Sequence, residues 1–147
     1  MPGEVQELVR GRPILALSSN PAAGWPLALE AGAIWGSRFM SQWQLAALYH
    51  DQLWRERGVV RPRPLEDRTG VERTFHEAMI ADLERYRPTV IVVLAVDSSV
   101  RGFGGATRID YLGYFGSDPR FLRIMAGYDE LQRLGRYRLF RRRDPAN

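Results

Sequence analysis

The sequence predicts an α/β domain with a small, mostly parallel sheet, helices in Rossmann-like layers on both sides, and a C-terminal antiparallel hairpin. Three observations support this fold class. A helical pattern ending near Tyr86 leads through Pro88 into the apolar run 90–96, and the run 14–17 is a second continuous apolar stretch. Near the C-terminus, two short alternating segments surround Gly135. A helix, a short turn and an apolar strand in succession are typical of a parallel α/β layer.

The first third of the chain predicts two strands and two helices. Residues 12–20 predict a strand that the turn-forming sequence SSNP ends. WPLALEAG predicts a short helix with Pro26 at its first position and Gly32 just past its end. AIWGS predicts a short second strand. Residues 41–56 predict a helix that Ser41 caps and that carries a broad apolar surface.

Residues typical of the ends of helices and strands mark the later elements of the chain. Thr69 and Glu72 have the spacing of a capping box, in which each side chain accepts a backbone N–H at the start of a helix. Asp118 followed by Pro119 predicts the N-cap and first residue of another helix. The segments on either side of Gly135 predict a hairpin at the edge of the sheet.

The length of 147 residues predicts one domain that spans residues 1–147. Residues 1–11 are expected to be flexible. The segment 57–70, RGVVRPRPLEDRTG, is rich in arginine and proline and is expected to be an exposed, extended loop. It is too short to separate two domains.

The composition limits the kinds of covalent, metal-binding and electrostatic chemistry that the chain can carry out. The chain has no cysteine, which excludes disulfides, thiolate nucleophiles and cysteine zinc sites, and its two histidines are too few for a histidine-built metal site. The 21 basic residues are all arginine and the net charge is +4. A coding bias toward G and C explains the exclusive use of arginine better than nucleic-acid binding does. The positive net charge could still attract phosphates or anionic lipids.

Neither a signal peptide nor a run of ~20 apolar residues is recognisable. We therefore expect either a cytoplasmic protein or a water-soluble piece of a longer one. No cofactor is expected, and no set of nucleophile, base and acid is recognisable.

Polar residues follow the predicted strand 90–96, where open α/β sheets bind ligands. Asp97 could bind a metal, a sugar hydroxyl or an arginine, or it could simply cap a turn. The sequence RGFGGATR, which Arg101 begins, could bring backbone N–H groups near a phosphate, but a mobile or irregular loop explains it more simply. Asp97 and Arg101 are both candidate ligand-binding residues.

A second candidate site lies earlier in the chain. Arg38 stands between Trp35 and Trp43, and an arginine flanked by aromatic residues can bind a carboxylate or phosphate with two hydrogen bonds. It can equally belong to a structural ion pair. His76 is expected at the surface or bonded to a neighbour. Three acidic residues are expected on the solvated face of the same helix: Glu77, Asp82 and Glu84.

Three segments of the chain resemble a known group of enzymes. They are ILALSSNPAAGWPLALEAGAIWGSRFMSQWQL, DLERYRPTVIVV and YLGYFGSDPRFLRIMAGYDELQRLGRYRLFRRR. They are similar to the segment after the last membrane helices in bacterial polytopic glycosyltransferases of the GT-C type, which are relatives of protein-mannosyltransferases and aminoarabinose transferases. The residues that carry the first match are Pro26, Trp35, Ser37, Arg38, Phe39 and Trp43, and the resemblance extends from about residue 12 to residue 143.

The resemblance implies an extracytoplasmic, periplasmic domain of a multi-pass membrane enzyme that uses a polyprenyl-phosphate-linked sugar. The family's catalytic carboxylate lies near its first membrane helices, so this chain is expected to be non-catalytic by itself. Its partners would be the membrane-embedded part of the same polypeptide and a glycan or polyprenyl-phosphate sugar, with no nucleic acid.

Two other function classes remain open at this point. A stand-alone α/β enzyme or protein that binds nucleotides or sugar phosphates would use the strand ends near Ser18 and Asp97. A nucleic-acid-binding module would depend on the basic balance and on the short terminal cluster RLFRRR, which a charged strand edge explains as well.

Overall fold

The computed structural model describes residues 2–55, 58–96 and 108–144. Within these ranges lie helices and strands that alternate along most of the chain. In chain order they are α1 (Gly3–Val9), β1 (Pro13–Leu17), α2 (Trp25–Ala31), β2 (Ile34–Trp35), α3 (Trp43–Leu48), α4 (His50–Arg55), α5 (Gly70–Tyr86), β3 (Val90–Leu94), α6 (Tyr111–Gly116), α7 (Pro119–Met125), β4 (Tyr128–Leu134) and β5 (Tyr137–Arg142).

The sheet is mixed, with five strands in the order β2-β1-β3-β5-β4. Strand β1 pairs in parallel with both β2 and β3, whereas β5 is antiparallel to both β3 and β4. The prediction of an α/β fold with a C-terminal hairpin is confirmed. The parallel part is limited to β2, β1 and β3, because helical connections lead from β1 to β2 and from β2 to β3, and the hairpin then adds the antiparallel half.

Helices cover both faces of the central strands. Leu15, Leu17, Ile91 and Val93 point to one face and pack with helices α3 to α7. The alternate residues of β1 and β3 point to the other face and pack with α1 and α2. Since both faces are buried, β1 and β3 need continuous apolar sequences, and that is why both were recognisable as strands.

The N-terminal residues were predicted to be flexible, but residues 3–9 form helix α1. Val5 and Val9, four positions apart, lie on one side of the helix and are buried against the sheet. Two buried valines contribute about 3 kcal/mol or more of hydrophobic stabilisation, which favours an ordered start.

The helix predicted for residues 41–56 is divided in two, and the prediction that Ser41 caps it is wrong. Helix α3 begins after Gln42. The helical backbone is interrupted at Tyr49, between α3 and α4, where φ is −110°. The buried hydroxyl of Ser41 has no hydrogen-bond partner among the described residues. The break turns the buried ring of Tyr49 toward α5, where its hydroxyl donates to Glu72 Oε1 over 2.7 Å.

The capping box predicted at the start of α5 is also absent. Thr69 is the N-cap, but its side chain caps no N–H within the described part of the chain. Glu72 is buried and accepts hydrogen bonds from Tyr49 and Arg63 instead of reaching back to the helix start. Three hydrogen bonds to a buried carboxylate, two of them from a guanidinium, stabilise more than a solvent-exposed cap does.

The segment predicted as an exposed loop is partly buried. It contains a 3₁₀ turn at Leu65–Asp67, and the side chain of Arg68 is only 1% exposed. The backbone N–H of Val60 donates to Arg108 O over 2.8 Å, which ties the loop to the start of the C-terminal region.

Several local predictions are confirmed. Asp118 accepts the backbone N–H of Arg120, and Pro119 begins α7. Gly32 ends α2 in the left-handed conformation, with φ 64°. Strand β3 is shorter than predicted and ends at Leu94. No helix in the described ranges has both the length and the apolar character needed to cross a bilayer.

Candidate ligand-binding site

Arg38 lies just after the edge strand β2 and is held by Asp82 of helix α5. The Arg38 Nε and Nη2 atoms donate to Asp82 Oδ1 over 3.0 and 2.8 Å. The backbone N–H of Arg38 donates to Asp82 Oδ2 over 2.8 Å, and the Ser37 hydroxyl donates to the same oxygen over 3.3 Å. The carboxylate therefore accepts four hydrogen bonds and orients the whole 37–38 segment.

The two partners differ in their exposure to solvent. The Asp82 side chain is 2% exposed, whereas that of Arg38 is 52% exposed. The Arg38 Nη1 atom has no hydrogen-bond partner in the described part of the chain. The structural ion pair is thus present, and it leaves one side of a fixed guanidinium open to solvent. The expectation that Asp82 lies on a solvated face is wrong, because the residue is buried beneath Arg38.

The two flanking tryptophans have different environments. Trp35 is half-buried, and its Nε1 donates to Phe39 O over 3.0 Å. Its ring lies against Gly24, where an added Cβ would be 2.3 Å from the ring. Trp43, at the start of α3, is 53% exposed. Trp35 thus anchors the segment, whereas Trp43 offers an aromatic face to solvent.

Other large apolar side chains are exposed in the same stretch of chain. Half of the ten exposed large hydrophobic residues of the described chain fall within residues 25–43, around the edge strand β2. We call this set the tryptophan surface; its members are Trp25, Leu29, Ile34, Met40 and Trp43. Singly exposed apolar residues are common on proteins, and these five are neighbours in sequence around β2, with α2 packed on one face of the sheet and α3 on the other.

The carboxyl end of β1 is closed by side chains from later in the chain. The backbone N–H of Ser18 donates to Gln42 Oε1 over 2.6 Å, and that of Ser19 donates to the hydroxyl of Tyr111 over 2.7 Å. Burial raises the pKa of Tyr111, which keeps this hydroxyl protonated. The Gln42 Nε2 atom is buried and has no partner among the described residues. Asp97 and Arg101, predicted near this edge, lie outside the described residues.

A buried polar cluster that the sequence did not predict joins α5 to α7. His76 is 0% exposed, so the alternative of a surface histidine is wrong and that of a histidine hydrogen-bonded to its neighbours is confirmed. Arg68 Nη1 lies 3.2 Å from His76 Nδ1, so Nδ1 accepts and Nε2 carries the proton. The Nε2–H then donates to Asp118 Oδ2 over 2.8 Å. Burial lowers the pKa of His76 and favours the neutral ring.

Arginines complete this cluster. The guanidinium of Arg68 lies 3.8 Å from the ring centre of Tyr114 and donates to the carbonyl of the same residue. The guanidinium of Arg120 donates hydrogen bonds to the carboxylates of both Asp118 and Glu77. Burial alone would raise the pKa of Asp118, but hydrogen bonds from Arg120 and His76 outweigh burial and lower it. Each charged member has a partner within the protein, whereas the buried hydroxyl of Tyr114 has none among the described residues, and the cluster holds helices together.

The missed residues had a signal in the sequence. Glu72 and His76 are four apart and lie on one face at the start of α5, and Arg68 stands four residues before Glu72, just ahead of the helix. That face also carries Phe75 and Met79, which are core residues. Polar residues in register with a core face indicate a buried network, whereas Arg68 was expected in an exposed loop and Glu72 in a capping box.

The structure contains no group of three or more metal-ligating side chains in residues 2–55, 58–96 and 108–144. Comparison of the chain with protein-family models, with curated proteins and with solved structures gives no match.

Proposed function

We propose that this chain is a non-catalytic accessory domain of a membrane glycosyltransferase that uses a polyprenyl-phosphate-linked sugar. The observation that carries this proposal is the exposed guanidinium of Arg38, which Asp82 fixes and which lies in the same stretch of sequence as the tryptophan surface. Arg38 and Trp43 are also among the residues that carry the resemblance to the glycosyltransferases. The domain lies on the periplasmic face of the membrane in this proposal and helps to bind the acceptor or a glycan.

The chemistry of Arg38 and its neighbours suits such a ligand. Sugar rings present apolar C–H faces that pack on aromatic rings such as that of Trp43. A guanidinium binds phosphate through charge-assisted hydrogen bonds, and Arg38 Nη1 is available for one. Because Asp82 already orients Arg38, little side-chain entropy is lost when a ligand binds.

A second candidate is a stand-alone protein or enzyme that binds a nucleotide or a sugar phosphate. It is favoured by the unpaired Gln42 Nε2 and Ser41 Oγ near the carboxyl end of β1, where open α/β sheets bind ligands. Helices on both faces of the sheet support a Rossmann-like layering, which belongs to this proposal as well.

The first experiment determines the coding sequence upstream of the Met1 codon. We expect several segments of ~20 apolar residues that could cross a bilayer. An upstream sequence without such segments would overturn the accessory-domain proposal, whatever the chain binds.

The second experiment measures binding of farnesyl phosphate, a short water-miscible polyprenyl phosphate, by the quenching of tryptophan fluorescence. Arg38→Gln and Trp43→Ala should each weaken binding about tenfold, which corresponds to the loss of one charged hydrogen bond or one buried aromatic contact. The matched control is Leu131→Ala, because Leu131 is also exposed but lies on β4, at the other end of the sheet. Equal effects of all three changes would count against a site at Arg38.

The two candidates are separated by a thermal-shift screen with nucleotides and sugar nucleotides. Stabilisation by a nucleotide that Asp97→Ala abolishes would favour the stand-alone protein. Stabilisation by the polyprenyl phosphate, with no response to nucleotides, favours the accessory domain.

A further inference from the structure

A cavity of about 440 Å³ lies where the end of α5, the end of α7 and the C-terminal hairpin meet. The buried side chains of Leu83 and Tyr128 form its inner wall together with the half-buried Ile124. This volume lies in the range of small-ligand sites, about 300–1,000 Å³. The cavity is separate from Arg38, since Asp82 and Leu83 are adjacent on α5 and point in directions about 100° apart.

Arginines from three elements surround this cavity. Arg87 follows α5, Arg123 belongs to α7, and Arg142 and Arg143 lie at the end of β5. The one acidic lining residue is Glu84, an exposed residue of α5. Four positive charges against one negative charge give the wall of the cavity an excess of three positive charges.

Few of these charges are neutralised within the protein. Arg143 pairs with Asp129 over 3.3 Å, and Arg142 donates a hydrogen bond to the carbonyl oxygen of Arg87. The side chains of Arg87 and Arg123 have no ion-pair or hydrogen-bond partner in the described ranges. Two guanidinium groups beside a concave apolar wall are therefore available to an anion.

The backbone of Arg87 supports a functional role. Arg87 has φ 44° and ψ 61°, and it is the only non-glycine residue with positive φ in the described part of the chain. A residue with a side chain is strained in this conformation, and glycine usually occupies it at the end of a helix. Strained residues are concentrated at functional sites, where a side chain is needed in spite of the strain.

A simpler explanation accounts for only some of the arginines around this cavity. Arginines near the end of a helix interact favourably with the negative end of its dipole, and Arg87 follows α5. The same effect applies to Arg123, which lies in the last turn of α7, but it does not explain why Arg142 approaches the same cavity from β5. Convergence from separate elements on one apolar cavity indicates a site for an anion that also has an apolar part.

We propose that this cavity binds the phosphate group of a small or lipid-linked phosphate ester, with Arg87 and Arg123 as its principal ligands. The apolar inner wall contacts the group to which the phosphate is attached. This site goes beyond the function proposed above, which depends on Arg38 on the other flank of α5.

The test measures binding of two probes at low ionic strength by the wild-type chain and by its variants. One probe is inorganic pyrophosphate, followed by calorimetry; the other is vesicles of phosphatidylglycerol, compared with vesicles of phosphatidylcholine. Arg123→Gln should weaken binding about tenfold, as expected for one charged hydrogen bond. Because Arg123 is exposed and unpaired, its replacement leaves the fold intact, and Arg87→Gly provides a second variant.

Two matched controls make the result specific. Arg10→Gln removes the same charge from an exposed site next to α1, and it should change binding less than about twofold because Arg10 does not line the cavity and water weakens the attraction of distant charges. Arg38→Gln tests the other candidate site and should remove only the binding that belongs to that site. Binding of pyrophosphate that Arg123→Gln weakens identifies a soluble phosphate ligand, whereas binding of phosphatidylglycerol vesicles alone, with the same sensitivity, identifies a lipid headgroup.

The proposal is overturned if neither probe binds, or if Arg10→Gln weakens binding as much as Arg123→Gln does. It is also overturned if Arg38→Gln abolishes binding while Arg123→Gln does not. That last result would place the phosphate at Arg38 and would leave the accessory-domain proposal standing.

Discussion

Asp82 accepts the backbone N–H of Arg38 on one carboxylate oxygen over 2.8 Å and the guanidinium of the same residue on the other. One buried side chain thus fixes both the main chain and the side chain of its partner. Asp82 belongs to α5 and Arg38 follows β2, so this contact joins the largest helix to the edge of the sheet. It also orients the arginine on which the proposed function depends.

Replacement of Asp82 should destabilise the protein more than replacement of Arg38. Asp82→Ala leaves the Arg38 N–H without its acceptor and removes a buried charge partner, which should cost about 2–3 kcal/mol in the free energy of unfolding. Arg38→Gln should cost less, because Arg38 is half-exposed and solvent screens its charge. Urea denaturation measures both.

The control for Asp82 is Glu84→Ala on the same helix. Glu84 is exposed, so its removal should change the free energy of unfolding by less than about 0.5 kcal/mol. Similar losses for Asp82→Ala and Glu84→Ala would show that the Asp82–Arg38 contact does not stabilise the fold.

Stability should fall as the pH is lowered from 7.5 to 5.5 because of His76. Burial lowers the pKa of His76 in the folded protein below its ordinary value of 6.5. As the pH falls through 6.5 the unfolded chain takes up a proton that the folded chain does not, so the unfolded state gains stability. The loss for one such group approaches about 1.4 kcal/mol per pH unit below 6.5 and ends at the folded pKa.

The two histidines of the chain provide the comparison for this experiment. In His76→Gln the fall in the free energy of unfolding between pH 7.5 and 5.5 should be much smaller than in the wild type. In His50→Gln, which changes an exposed residue, it should be unchanged. A pH dependence that persists in His76→Gln would show that another group causes it.

Asp118 should cause a further loss of stability at pH values below the range in which His76 acts. Its pKa is lowered in the folded protein, because hydrogen bonds from Arg120 and His76 outweigh the effect of burial. The stabilisation is complete above the ordinary value of 3.8 and is lost as the pH falls below it. Acid titration of Asp118→Asn, followed by circular dichroism, should therefore show a shallower transition than the wild type below pH about 4.

Gly24→Ala should destabilise the domain and alter tryptophan fluorescence. A Cβ at this position would be 2.3 Å from Cη2 and 2.8 Å from Cζ3 of Trp35, so the ring must shift. Overpacking of this kind costs about 1–3 kcal/mol. Gly3→Ala is the control, since a Cβ there meets nothing within 4 Å. An unchanged emission spectrum in Gly24→Ala would mean that the ring of Trp35 is not held against Gly24.

Arg87→Gly should stabilise the fold while it weakens anion binding. Glycine adopts the left-handed conformation without the steric cost of about 1–2 kcal/mol that a side chain brings. The expected gain in the free energy of unfolding is thus on the order of 1 kcal/mol. A variant that is both more stable and poorer at binding pyrophosphate would separate the ligand role of Arg87 from any structural role. A loss of stability in Arg87→Gly would show that the arginine side chain stabilises the helix end.

The local elements of this fold were largely predictable. The strands β1 and β3 were recognisable from continuous apolar runs, α2 from Pro26 and Gly32, α7 from Asp118, and the hairpin from Gly135. These signals act between residues close in sequence, through backbone conformation, capping and alternation. Ser41 and Thr69 are residue types that commonly cap helices. Neither side chain caps a helix in the described part of the chain, because tertiary contacts decide the conformation of their segments.

What the sequence by itself determined is the set of segments that must be buried, since an apolar strand cannot remain in water. Which polar groups are buried with them was decided by the tertiary structure alone. Asp82, His76, Glu72 and Arg68 are charged or titratable residues, and each is stable inside because a partner distant in sequence, or a neighbour one or two turns away, completes its hydrogen bonds. Burial of such groups is favourable only when those partners meet, and that condition exists only in the folded chain.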